Sequence, residues 1–340
     1  MGVDIGPLFT KETISLKDLQ NRVIAIDAHN VLHQFLASIR QRDGTPLKDA
    51  KGRITSHITG LLHRTAIMVE MKIKPIYVFD GMPHELKQKT IELRHRRKVL
   101  AEEQWKKALE EGDLVKARSK AQQTSRVTDE IIQQSKDLLQ ALGIPYIQAP
   151  SEGEAQASYL VKKGDAYAVC SQDFDCLLLG TKVLIRHLTS SSKRKLPGKN
   201  AYAAVHPERI NFQMNLLKLG ITHKQLVDMA ILIGTDFNDG IKGIGPKKSL
   251  SLIKKNGNLE NVLSTIGGEN APTFEEIAEI RKLFLHPEVS KDYNVQWNLP
   301  DLEEAEKILL DEYHFSEKRV KPALEKFINL NEIAKQKTLF

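Results

Sequence analysis

Four short apolar runs mark the first part of the chain, and each one leads into an acid. Residues 23–26 read as a buried strand, with Asp27 next. Residues 75–79 read as a second strand, ending in Asp80 and Gly81. Residues 144–147 form a third, shortly before Glu152 and Glu154. Residues 166–170 form a fourth, before Asp173 and Asp175. Between the runs the spacing turns helical. Residues 30–39 have helical periodicity, and 56–71 set Ile58, Leu61, Leu62, Ala66 and Val69 on one face. Residues 40–53 are polar and punctuated by Gly and Pro, which predicts a loop. Residues 128–142 are amphipathic and stop at Gly143.

Residues 87–120 break this rhythm. They are helix-prone and highly charged, with few apolar anchors, and Gly112-Asp113 divides them into two helices. A helix without an apolar face has nothing to pack with, so this segment is expected to project. Beyond the fourth strand, 183–188 and 202–205 read as a β-ribbon around a basic turn, 190–200. Helices are expected over 207–219, 222–233, 275–285 and 302–330, and 332–340 as a free tail. The predicted fold is α/β: a central, mostly parallel sheet with helices on both faces, a protruding helical segment and a helix-hairpin-helix element. The expected division is 1–98, 99–130, 131–260, 261–330 as a C-terminal helical region and 331–340 as tail.

Charge sharpens the picture. The chain carries +7 overall, and 87–126 alone holds twelve Lys/Arg against six Asp/Glu. One segment thus supplies nearly all the excess, which points to a polyanionic partner. No run is apolar enough to span a membrane, and no signal-peptide core is read at the start. Cys170 and Cys176 have no zinc-cluster company and read as structural thiols in a reducing compartment. There is no Walker A motif.

The acids are the candidate chemistry. A parallel sheet brings the carboxyl ends of its strands to one edge. Asp27, Asp80, Glu152, Glu154, Asp173 and Asp175 follow strands, and Asp236 follows a helix. Seven carboxylates together would cost several kcal/mol per unpaired ion, which hard divalent cations with oxygen ligands relieve. Two Mg²⁺ about 4 Å apart suit in-line phosphodiester hydrolysis, with Mn²⁺ a possible substitute. Read locally, Ser151 to Glu154 fits a helical capping box as well as a metal site, and Asp173 and Asp175 could be turn residues. His29 and His33 read as satisfied surface or core histidines. Gly243-Ile244-Gly245-Pro246-Lys247-Lys248 opens a helix whose bare N–H groups can hold a phosphate without reading bases; a plain Gly-capped helical turn is the alternative.

These motifs, in this order, resemble the flap endonucleases of the XPG family of structure-specific 5′ nucleases. The carriers are residues 23–28 (VIAIDA), 77–81 (YVFDG), 149–157 (APSEGEAQA), 171–175 (SQDFD), and 234–236 with 243–246 (GTD, GIGP). The likeness covers nearly the whole chain. It implies a two-metal site on the seven acids and a basic pair, Lys87 and Arg94, gripping the scissile phosphate. It makes 87–126 the arch around a 5′ single strand, and places Gly2 near the DNA. It sets Arg53, Thr55 and Ser56 against a one-nucleotide 3′ flap. The implied activity is cutting DNA at the base of 5′ flaps, with 5′→3′ exonuclease action, in Okazaki-fragment maturation and repair. A junction resolvase, an RNA-cleaving relative or a non-catalytic junction binder are the alternatives.

Two departures stand out. His33 occupies a position where the family commonly has a Tyr that stacks on a substrate base. Gln336, Leu339 and Phe340 resemble a shortened sliding-clamp (PCNA) box. The absence of a basic extension beyond it suggests an archaeal-type, cytoplasmic enzyme, and a monomer is expected.

Overall fold

The computed structural model describes residues 2–190, 193–195, 202–266 and 272–329. The chain divides into two compact units that interleave along the sequence. One comprises Met1–Ser15, Asp80–Thr90 and Gln148–Lys291; the other comprises Leu16–Phe79, Ile91–Ile147 and Asp292–Phe340.

The strands, in chain order, are β1 Glu12–Thr13, β2 Val23–Asp27, β3 Lys74–Phe79, β4 Tyr146–Gln148, β5 Ala168–Cys170, β6 Val183–Arg186, β7 Lys193–Lys195, β8 Tyr202–Ala204 and β9 Glu208–Asn211. In the second unit β2 runs parallel to β3, Val23 opposite Lys74 through Asp27 opposite Val78. Both strands are buried from their second residue on. Burial on both faces explains why they read as continuous apolar runs. The fully buried Tyr77 shares a 2.8 Å hydrogen bond with Thr65. The helices Ala28–Ser38 and Ser56–Glu70 cross closely because Gly60 faces Phe35: a Cβ there would lie 2.2 Å from the ring.

In the first unit the strand order is β1-β9-β6-β5. β5 and β6 are parallel; β9 is antiparallel to both β6 and β1. The fold is therefore α/β with mostly parallel central strands, as the apolar runs implied. The expected ribbon of 183–188 with 202–205 is replaced by a different pairing. β6 belongs with β5 and β9, and the two-stranded ribbon is β7 with β8. Residues 207–219 are not wholly helical either: β9 precedes the helix Phe212–Leu219, which Asn211 caps. The helical stretch expected over 302–330 is, through residue 329, four pieces, Leu302–Glu306, a π-helical Lys307–Glu312, Glu317–Leu324 and Glu325–Asn329.

The charged segment forms helices Gln88–Glu110 and Leu114–Ala121, parted at Gly112-Asp113 as expected. Asp113 caps the second through the Lys116 amide. Its packing corrects the sequence reading. Leu100, Leu109, Leu114 and Val115 are exposed, while Ala101, Ala108, Ala117 and Ala121 are buried. Small residues make the contact, and Trp105 donates its indole N–H to the Asp43 carbonyl at 3.0 Å.

Candidate active site

Six of the seven acids lie in the first unit, and local structure aims each one. Asp80 follows β3 directly. Its Oδ1 accepts the Gly153 amide at 2.7 Å, at the start of the helix Gly153–Lys163. Gly81 can only be glycine, since a Cβ there would sit 2.3 Å from the Ala149 carbonyl oxygen. Glu152 is the N-cap of that helix, yet no side chain caps it. The capping box, one of the two readings open for Ser151 to Glu154, is not formed. Glu154 instead accepts the Ser171 hydroxyl at 2.9 Å, and Ser171 accepts the Asp173 amide.

Asp173 and Asp175 meet the start of the chain. The Gly2 amide donates to Asp173 Oδ2 at 2.8 Å and the Val3 amide to Asp175 Oδ1 at 2.9 Å. A Cβ on Gly2 would fall 1.9 Å from Asp173 Oδ1, so only glycine allows this approach. Asp236 rides on a tight loop closed by the Thr235 amide and the Asn238 carbonyl, between left-handed Gly234 and Gly240. Thr90 donates to the Asp236 carbonyl, and Lys89 pairs with Asp239, which ties residues 89–90 to this loop.

Lys87 ends the 3-10 turn Glu85–Lys87, just ahead of the long helix that carries Arg94. Its ammonium pairs with Glu152 and lies 3.6 Å from Asp236. Burial pulls its pKa down, but Glu152, Asp236 and Asp80 outweigh that and hold it above the usual lysine value. One cation does not balance these acids. Burial first, and then the charge of Asp173, push the Asp175 carboxyl up to about 8, against the pull of the Val3 amide and Lys87.

This charge excess, on oxygen donors alone, fits hard divalent cations. Among the described residues no three His, Cys, Asp or Glu side chains converge into a ready-made cage. Asp80, Glu152, Glu154, Asp173, Asp175 and Asp236 are the residues that would hold such a cation.

The second unit carries the remaining candidates. Asp27 ends β2, is 4% exposed and caps the next helix through the Asn30 amide. His33 lies on that helix. Its pKa is lowered to about 4 by burial and then by Lys98, His29 and Arg94, so the ring is neutral at physiological pH. Arg53 is already engaged: it bonds Asp49 at 2.7 Å, donates to the Glu312 carbonyl and lies over the Tyr313 ring. Thr55 is buried, and the fully buried Ser56 donates to the Ile39 carbonyl and accepts the Leu47 amide.

In the first unit, Gly243 is left-handed, at φ +81°, and Gly245 caps the helix Pro246–Asn256 without a side-chain bond. A Cβ on either glycine would meet nothing within 4 Å, which leaves the helix N-terminus open beside exposed Lys247 and Lys248. Gln336, Leu339 and Phe340 lie outside the described residues. Ser171 and the Gly2, Val3 and Gly153 amides escaped the sequence reading as contacts to the acids, although all but Val3 stand in motifs or starts that it singled out.

Acids after parallel strands, a paired lysine and an open glycine turn define the class as metal-dependent nucleases of XPG type. Family models agree: the XPG N-terminal domain matches residues 6–101 and the XPG I-region residues 143–236. Flap endonuclease 1 of Methanothermobacter thermautotrophicus is 49% identical over 331 residues, covering 96% of each chain. That of Pyrococcus furiosus is 47% identical over 340 residues, covering 100% of this chain and 98% of its own. The solved flap endonuclease-1 from Methanococcus jannaschii superposes with a TM-score of 0.76 at 41% identity, over 97% of this chain and 98% of its own. The chain belongs to the flap endonuclease 1 family, structure-specific endonucleases that depend on divalent metal.

Proposed function

We propose that this chain hydrolyses DNA phosphodiesters at the base of 5′ flaps with two Mg²⁺, and trims 5′ ends through the same site. The carrying observation is six carboxylates in one unit, with Lys87 paired to Glu152 and 3.6 Å from Asp236, and an Asp175 carboxyl driven up first by burial and then by Asp173. Bound Mg²⁺ would supply a lowered pKa for the attacking water and charge compensation at the leaving oxygen. Asp80, Glu154, Asp173 and Asp175 are held by backbone amides and the Ser171 hydroxyl, so they need little reorganisation to bind. Cations beside Glu152 and Asp236 would release the Lys87 ammonium to grip the scissile phosphate. The parts given to Asp27 and Arg94, in the second unit, rest on the family resemblance.

The partner is branched DNA. The solved catalytic core of Rad2 in complex with DNA substrate, 25% identical with a TM-score of 0.69, has the same fold. Gly243, Gly245, Lys247 and Lys248 suit backbone phosphate contacts, and nothing resembles a base-reading helix, so specificity is for junction shape. Okazaki-fragment maturation and base-excision repair are the matching roles. Rates on 5′-flap, four-way junction and single-stranded RNA substrates test this: flaps should be cut fastest, and faster cleavage of junctions or RNA would overturn it. The tail residues Gln336, Leu339 and Phe340 would dock on a sliding clamp. Removing Phe340 should weaken a clamp pull-down, and undiminished capture would discount the tail.

A further inference from the structure

Arg186 closes β6, and strand register puts it beside the acids. Val169 pairs with Leu184 and Cys170 with Ile185, so the next residue of β6 reaches the turn that follows β5. There its guanidinium lies 4.4 Å from the centre of the Phe174 ring, and its Nε donates to the Gln172 carbonyl at 3.3 Å. Glu208 pairs with it at 3.5 Å, and its side chain is only 15% exposed. Phe174 is the residue between Asp173 and Asp175. It is held on further sides: Phe9 stacks at 6.5 Å, Lys11 lies 5.4 Å from the ring centre, and a Cβ on Gly6 would fall 2.6 Å from the ring.

We propose that Arg186 is a positioning residue, clamping Gln172 and Phe174 so that the Asp173 and Asp175 carboxylates keep the spacing a divalent cation needs. This deepens the reading of these acids as a cation site and rests on it. Two effects of Arg186 oppose one another. Its positive charge acts on Asp173 and by itself would repel a bound cation. Its flat stacking and its bond to the loop carbonyl orient the ligands, and residues that hold metal ligands in place typically matter 10–100-fold for affinity. Lys at this position keeps the charge but has no planar face to stack and no fork to share between Gln172 and Glu208.

The test is Mn²⁺ binding to the metal-free full-length protein, followed by the electron paramagnetic signal of free Mn²⁺, with thermal melting and metal-free flap binding as controls. Arg186→Ala should weaken Mn²⁺ binding about tenfold and leave flap affinity within about twofold. Arg186→Lys should rescue little of this loss. Phe174→Leu should reproduce it, and adding it to Arg186→Ala should give no further loss. Unchanged or tighter binding by Arg186→Ala would overturn the proposal, as would full rescue by Lys. Should Arg186→Ala fail to fold, Phe174→Leu decides: weakened binding supports the clamp and wild-type binding overturns it. Failure of the wild-type protein to bind Mn²⁺ would instead sink the cation-site reading itself.

Discussion

Burial decides the state of individual side chains here. His57 is fully buried, and neither ring nitrogen has a hydrogen-bond partner among the described residues. Burial lowers its pKa from 6.5 to about 4; Gln134 opposes the shift without reaching bonding geometry. A depressed histidine stabilises the fold above its unfolded pKa, and that stability is lost as pH falls toward the folded value. The shift corresponds to about 3 kcal/mol lost between pH 6.5 and 4. Denaturant melts should therefore show a steep fall in stability across this window, and His57→Leu should flatten it. An unaltered slope would mean that folding does not depress the His57 pKa. His33 behaves alike, so the pH dependence expected of a histidine in a stacking position moves below the working range. Sequence alone places these residues but not their surroundings. It could show that Glu152 and Glu154 suited a cap or a metal; the uncapped helix and the Ser171 hydroxyl on Glu154 show that the cap is not made.

Among elements, the helices Gln88–Glu110 and Leu114–Ala121 show how small residues replace a missing apolar face. Gly44 has φ +92°, and a Cβ there would lie 2.5 Å from Ala121 Cβ. Gly44→Ala should cost about 1–3 kcal/mol, through the left-handed backbone and the overlap with Ala121. Thermal melting should register this, and amide exchange should quicken over residues 114–121 more than elsewhere; unchanged exchange there would refute the docking. The strands before Asp27, Asp80 and Asp173 were legible because double-sided burial leaves a continuous apolar run. The same signal was available in β6, whose Val183, Leu184 and Ile185 are all buried, a pattern of a central strand and not of a half-exposed ribbon. β9 was hidden because only Ile210 of its four residues is buried, and its neighbouring helix absorbed it in the reading. Asn211, a ready N-cap, marked the true boundary.

For the whole molecule, the decisive feature is opposed charge: an acidic site in a chain of net charge +7 whose excess is concentrated in residues 87–126. Phosphate binding drawn from such a segment weakens steeply with salt, and so does non-specific affinity for single strands. On the proposed reading, holding the metal and retaining the DNA fall to different residues and can be separated. Asp175 is the sharpest point of separation, since it is buried, crowded by acids and accepts the Val3 amide. The direct measurement is flap binding and flap cleavage by Asp175→Ala in Mg²⁺. Binding should stay within a few-fold of wild type, while the single-turnover rate should fall on the order of a thousandfold or more, because the acids act by holding the metal. Cleavage at the wild-type rate, with binding intact, would contradict the carboxylate-held metal site on which the account stands.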